Sequence, residues 1–180
     1  MTLAPLLSLL LLAAEPDFQV SALNGATVRY ADLKGSKITV IAFVSIKCPI
    51  SHAYQERMNR FYQSYAGKGV GFVFLDANSN EPAGEIAQFA RQANLAYPVY
   101  KDYNNRAADL LGAQTTPELF VLDQSGVVRY HGAIDDAANE ARVKTHGLRD
   151  ALDALLDGKS PAVVDLKAFG CVLKRVKGTS

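Results

Sequence analysis

Two nearly uninterrupted apolar runs, residues 38–44 (ITVIAFV) and 70–75 (VGFVFL), constrain this chain more than any other feature. Both are rich in β-branched or aromatic side chains, as expected of strands buried on both faces. Between them Ile50, Tyr54, Met58, Phe61 and Tyr65 recur at spacings of 4, 4, 3 and 4, the repeat of one helical face. Pro49 suits the first position of that helix, and Gly67 and Gly69 close it.

Shorter signals surround this unit. Residues 18–20 and 27–30 flank Asn24-Gly25, a strong hairpin turn. Pro82 opens a second helix with Ile86, Phe89, Ala90 and Ala93 along one face and Asn94 as its stop. Residues 106–111 make a short helical turn ended by Gly112. Residues 119–122 and 127–130 read as strands joined by Asp123-Gln124-Ser125-Gly126. Leu148, Leu152 and Leu155 carry a last helix to Gly158. A strand-helix-strand unit followed by a hairpin and a covering helix predicts an α/β fold, a central mixed sheet with helices on both faces. No repeat or linker interrupts residues 15–158, which read as one domain, and residues 159–180 form a tail carrying Cys171.

Lys and Arg total 19 against 18 Asp and Glu, so bulk charge gives no basis for nucleic-acid binding. Two cysteines are too few for a disulfide scaffold or a four-thiolate zinc site. No Trp is present, so chemistry must rest on Cys, His, Tyr or charged groups. Residues 1–14, MTLAPLLSLLLLAA, are uncharged apart from the amino group and end in small residues, which predicts a secretory signal peptide. The run is too short to span a membrane, and the chain is not expected to be an integral membrane protein. A cleaved signal implies a periplasmic or secreted protein, and its absence a cytoplasmic one.

Cys48 stands where the first buried strand gives way to the first long helix. With Pro49 at the first helical position, Cys48 becomes the N-cap, where free backbone N–H groups and the helix dipole favour a thiolate. Lys47 adds a neighbouring positive charge, and Ser45 and Ser51 bring hydroxyls close by. Such a thiolate is the nucleophile needed to exchange a disulfide or reduce a peroxide.

The element order, Cys48 at the head of the helix and Thr116-Pro117 before the strand ELFVLD resemble the thioredoxin-like fold. More narrowly, TVIAFVSIKCPIS, VGFVFLDANSN, TTPELFVLDQSGVVRYHG and FGCVLKR resemble redoxins of the alkyl hydroperoxide reductase/thiol-specific antioxidant family. The resemblance implies a thiol oxidoreductase with a reactive Cys48, and a cis bond before Pro117 packed beside it. With Thr116, Pro117 would shape the substrate-facing edge. Substrates would be protein or small-molecule disulfides or peroxides, with an external thiol as reductant and no cofactor. Two positions depart from the related patterns. Ser51 stands where thioredoxins carry a second cysteine, and Ile41 where peroxiredoxins carry proline.

Cys171 is the candidate second thiol, and three roles stay open for it: resolving Cys48 during turnover, bridging it permanently, or packing alone or pairing with another molecule. Gly170 before it would permit a close backbone approach. The alternative function is a non-enzymatic thioredoxin-like module: a redox-inert scaffold, or a copper carrier using Cys48, His52 and His131. No recognised metal-ligand spacing supports the latter. Asp135-Asp136 reads as a turn or helix start, and the basic tail of Lys167, Lys174, Arg175 and Lys177 as a solvated end.

Overall fold

The computed structural model describes residues 15–177, so the signal reading for residues 1–14 lies outside the described residues. In chain order the elements are β1 (Gln19–Ala22), β2 (Thr27–Arg29), α1 (Tyr30–Leu33), β3 (Ile38–Phe43), α2 (Pro49–Tyr65), β4 (Val70–Asp76), α3 (Ala83–Gln92), β5 (Val99–Lys101), α4 (Arg106–Leu111), β6 (Thr115–Thr116), β7 (Glu118–Asp123), β8 (Val128–Gly132), α5 (Gly147–Leu156), β9 (Asp165–Leu166) and β10 (Cys171–Val172).

Eight strands form one sheet in the order β2-β1-β5-β4-β3-β7-β8-β9. The β3-β4-β5 centre is parallel, while β7 pairs antiparallel with β3 and β8 antiparallel with β7. Both predicted runs are central strands, and every residue of β3 is buried. Side chains of a strand alternate between faces, so each run feeds two cores at once. Val40, Ala42, Phe72 and Phe74 face one layer with Tyr54 and Met58 of α2, Ile86 of α3 and Leu148 and Leu152 of α5. Ile41, Phe43, Val73 and Leu75 face the other, with Tyr30 of α1 and Ala107 and Ala108 of α4. The fold is thioredoxin-like α/β, with helices on both faces of a mixed sheet.

Four strands carry too little pattern for the sequence to announce them. β5 is a three-residue strand whose Lys101 is buried, and β6, β9 and β10 are two residues each. Two expectations change for a physical reason. Asp135 is not a simple turn residue: it is buried and accepts from the Arg57 guanidinium and from Tyr54 Oη at 2.7 Å. The tail is not simply solvated. Arg175 is tied to the Asp109 carboxylate and the Ala113 carbonyl, and Ser79 N donates to Lys174 O at 2.7 Å. Those bonds fold the tail back onto the ends of the central strands.

Candidate active site

Cys48 is the N-cap of α2 with extended backbone (φ −91°, ψ 116°), and Pro49 is the first helical residue. Proline loses nothing there, because the N–H it lacks would have no intrahelical partner. The thiol is 1% exposed, and its Sγ donates to the Thr116 carbonyl oxygen at 3.1 Å. The Thr116–Pro117 peptide bond is cis.

Cys171 reaches this point through the smallest sheet of the fold. β10 pairs antiparallel with β6, placing Cys171 opposite Thr116 and Val172 opposite Thr115. A Cβ on Gly170 would overlap the Thr116 carbonyl, so glycine is what allows the two strands to approach. Both cysteines are free thiols.

Their chemistry is asymmetric. Burial works against the Cys48 thiolate. Hydrogen bonds from the Cys171 thiol, the Ser51 and Cys171 backbone N–H groups and the Thr116 side chain outweigh it, and the net pKa falls below the ordinary thiol range. Cys171 is pushed up to about 11, first by its hydrogen bond to Cys48 and then by burial. Of the pair, Cys48 is the thiol whose ionised form is favoured and Cys171 the one that holds its proton more tightly.

The supporting residues named from sequence lie around Cys48 in different ways. Ser51 contributes its backbone N–H, while its hydroxyl is buried with no partner. Ser45 donates to Glu81 Oε1 at 2.6 Å and accepts from Lys47 N at 3.1 Å. Lys47 Nζ donates to Asn80 O at 2.7 Å and pairs with Glu85 at 3.1 Å, so its charge is directed to the loop after β4.

Sequence reasoning missed the polar network beneath this loop. Glu81 is 2% exposed and also accepts from Ile46 N at 2.8 Å, so its carboxylate holds the strand-to-helix turn just before Cys48. Asp76, fully buried at the end of β4, accepts from Lys101 Nζ at 3.0 Å and from Asn78 N at 2.9 Å, both through Oδ1. Burial first, and a hydrogen bond with Glu81 second, push Asp76 up to about 8 against the pull of Lys101. Asp76 Oδ2 is buried without a hydrogen-bond partner. The only signal in sequence was position: Asp76 and Glu81 bracket the loop at the carboxyl end of a parallel strand, where sites in open α/β sheets gather.

A second cluster orders the Thr116 loop. Glu118 accepts from Gln114 N at 2.8 Å, from Thr115 N at 2.7 Å and from the Thr115 hydroxyl at 3.1 Å. His131 bridges Glu118 Oε1 and Asp165 Oδ2, each at 2.8 Å, and stacks on Phe120. His52 is occupied elsewhere: its Nε2 lies 2.7 Å from Ile46 O, and its ring stacks on Phe89. Among the described residues, no group of three His, Cys, Asp or Glu is arranged to hold a metal ion. No helix among them is long and apolar enough to cross a membrane.

A cysteine at the head of the first long helix, beside a cis-proline loop on a mixed sheet, is the arrangement of the thioredoxin-like class. The AhpC/TSA family profile matches residues 13–131, and the chain belongs to that family. Among curated proteins it is similar to the thiol-disulfide oxidoreductase ResA of Bacillus cereus, 30% identical over 113 residues, covering 63% of this chain and 64% of that one. The thiol-disulfide oxidoreductase YkuV of Bacillus subtilis is 26% identical, with 62% of this chain and 76% of the relative covered. The chain thus spans less than two thirds, 64%, of the ResA relative it matches. A hypothetical protein from Sinorhizobium meliloti superimposes with a TM-score of 0.83 at 28% identity, covering 92% of this chain and 94% of that chain. An uncharacterized conserved protein from Geobacillus kaustophilus gives 0.84 at 27% identity, with 93% of each chain covered.

Proposed function

We propose that this protein is a thiol-disulfide oxidoreductase in which Cys48 and Cys171 form the working pair. The observation that carries the reading is the pairing of Cys171 with Thr116, whose carbonyl accepts from Cys48 Sγ at 3.1 Å, which brings together two cysteines 123 residues apart in sequence.

The Cys48 thiolate attacks one sulfur of a substrate disulfide. A bond forms between Cys48 Sγ and that sulfur while the substrate S–S bond breaks, and the departing sulfur leaves as a thiolate that takes a proton from water. Cys171, once deprotonated, attacks Cys48 Sγ, releases the second substrate thiol and leaves a Cys48–Cys171 disulfide. An external dithiol restores both thiols and is itself oxidised to a disulfide. Thr116 and Pro117 form the edge against which substrate lies. Ser51 steadies the thiolate through its N–H. Ser45 acts by holding Glu81, and Lys47 by anchoring the turn to Asn80 and Glu85. In this reading Cys171 supplies from the tail the thiol that Ser51 replaces in the helix. No cofactor enters the cycle.

Residues 15–158 act as the redoxin domain, 159–180 as the tail that returns the second thiol, and 1–14 as an export signal that places the mature protein in the periplasm or outside the cell. A likeness to proteins called thiol-disulfide oxidoreductases supports disulfides as substrates. Peroxide is the competing substrate.

Intact mass and alkylation counts, with and without reductant, test the pair. A bridge that forms on mild oxidation and is readily reduced is the expected result. Two thiols that stay free, with Cys48 unreactive near neutral pH, would sink the reading. Stopped-flow oxidation separates the substrates: Cys48 should react with peroxide no faster than a free thiol, and with a disulfide much faster.

A further inference from the structure

We infer that the segment Cys171-Val172-Leu173 is a built-in template of the substrate. The site takes an extended polypeptide whose reacting cysteine is followed two residues later by a large apolar side chain. This rests on the disulfide-exchange reading above and names the substrate class for it.

Cys48 Sγ is almost fully enclosed, and the groups that meet it come from the N-terminus of α2, from Thr116 and from Cys171. The first two belong to the helix-and-sheet framework. The tail is the peripheral one: a strand pair of two residues holds it, with single hydrogen bonds from residues 173 and 174 and the Arg175 ties beyond. An incoming sulfur must therefore take the place of the Cys171 sulfur, and the chain around it inherits the tail's partners. Those partners form a continuous track. Thr116 and Thr115 pair with the first two positions, Gln114 O accepts the N–H of the third at 2.9 Å, and Asn78 Oδ1 accepts the N–H of the fourth at 2.9 Å.

An extended chain alternates its side chains, so this track decides which of them face the protein. Val172 points outward, 67% exposed. Leu173 is 4% exposed and belongs to the core layer that contains Ile41, Ala107, Ala108, Ala113 and Leu122. A polar side chain in that slot would lose its water without gaining a partner. Backbone pairing alone would accept any polypeptide. The apolar slot is what selects among them.

The test uses the full chain with Cys171→Ser, reduced, so that Cys48 reacts once and stops. Two short peptides that differ only in ending Cys-Val-Leu-Lys or Cys-Val-Ser-Lys are each activated as a thionitrobenzoate mixed disulfide, and dye release is followed by stopped flow. The leucine peptide should react at least about tenfold faster, the scale expected for burying one such side chain. Equal rates, with Cys48 reacting readily with both peptides, would overturn the template. No reaction of Cys48 with either peptide or with a small aryl disulfide would instead overturn the disulfide-exchange reading. In the same background, Arg175→Ala releases the tail from Asp109 and Ala113 without altering the slot. It should speed the leucine peptide and keep the preference, whereas loss of the preference would count against the slot.

Discussion

Cys171 lies directly opposite Thr116 in a two-strand antiparallel pair, and this register brings it onto Cys48. Thr116 touches both cysteines: its carbonyl accepts from Cys48 Sγ, and its hydroxyl lies 3.5 Å from the Cys171 carbonyl. A loop that contacts both sulfur-bearing residues is how a tail cysteine comes to lie beside a helix-capping one.

The first prediction concerns the thiolate. Cys171→Ala removes the strongest of the hydrogen bonds that lower the Cys48 pKa, while most of the burial that opposes ionisation remains. The pH profile of Cys48 alkylation should move to higher pH. Lys47→Ala should leave the profile in place, since that ammonium pairs with Glu85 and Asn80. A shift with Lys47→Ala comparable to that with Cys171→Ala would mean that the lysine charge acts on the thiolate directly.

Glu81→Gln should destabilise the fold and the turn before Cys48 together. The amide keeps the shape but loses an ionic acceptor of two buried hydrogen bonds, at a cost of about 1–3 kcal/mol. Urea unfolding reads the loss. Asp76 holds its proton more tightly in the fold than in the unfolded chain, so stability falls as pH rises from the ordinary carboxyl range to about 8. That slope should flatten in Glu81→Gln, because Glu81 helps keep the proton on Asp76.

His131 acts in the same direction as Asp76, in its own pH window. Partial burial lowers its pKa, but Glu118 and Asp165 outweigh burial and the net shift is upward. A raised histidine pKa contributes stability that is complete below its unfolded value of 6.5 and is lost as pH rises through the folded value. Glu118, whose net shift is downward despite burial, contributes above the usual carboxylate range and loses that contribution in acid. Thermal melts of His131→Gln should lack the His131 part of the decline above pH 6.5. A decline unchanged from the parent protein would place its origin elsewhere.

Arg57 and Asp135 form a buried ion pair, each side chain 6% exposed, that ties α2 to the loop after β8. Removing one partner leaves the other charged and enclosed. Asp135→Ala should therefore cost about 3–5 kcal/mol, while replacing both residues with apolar ones of similar volume should cost far less. Chemical denaturation of the single and double variants decides this.

Sequence alone was enough for the two central strands, the helix between them and Cys48 at its head. Those features follow from local rules: apolar runs bury, helical spacing makes one face, and proline begins helices rather than continuing them. Tertiary structure alone decided the rest of the site. Asp76, Glu81 and Lys101 carry no periodic signal, because each is a buried polar residue with a side-chain partner distant in sequence, and Glu118 gains its histidine partner only through the sheet. Whether Cys171 meets Cys48 depended on a two-residue strand finding Thr116, and so short a segment has too few side chains to declare its register. Local patterns set which elements form. Only their packing sets which charges and thiols end up facing one another.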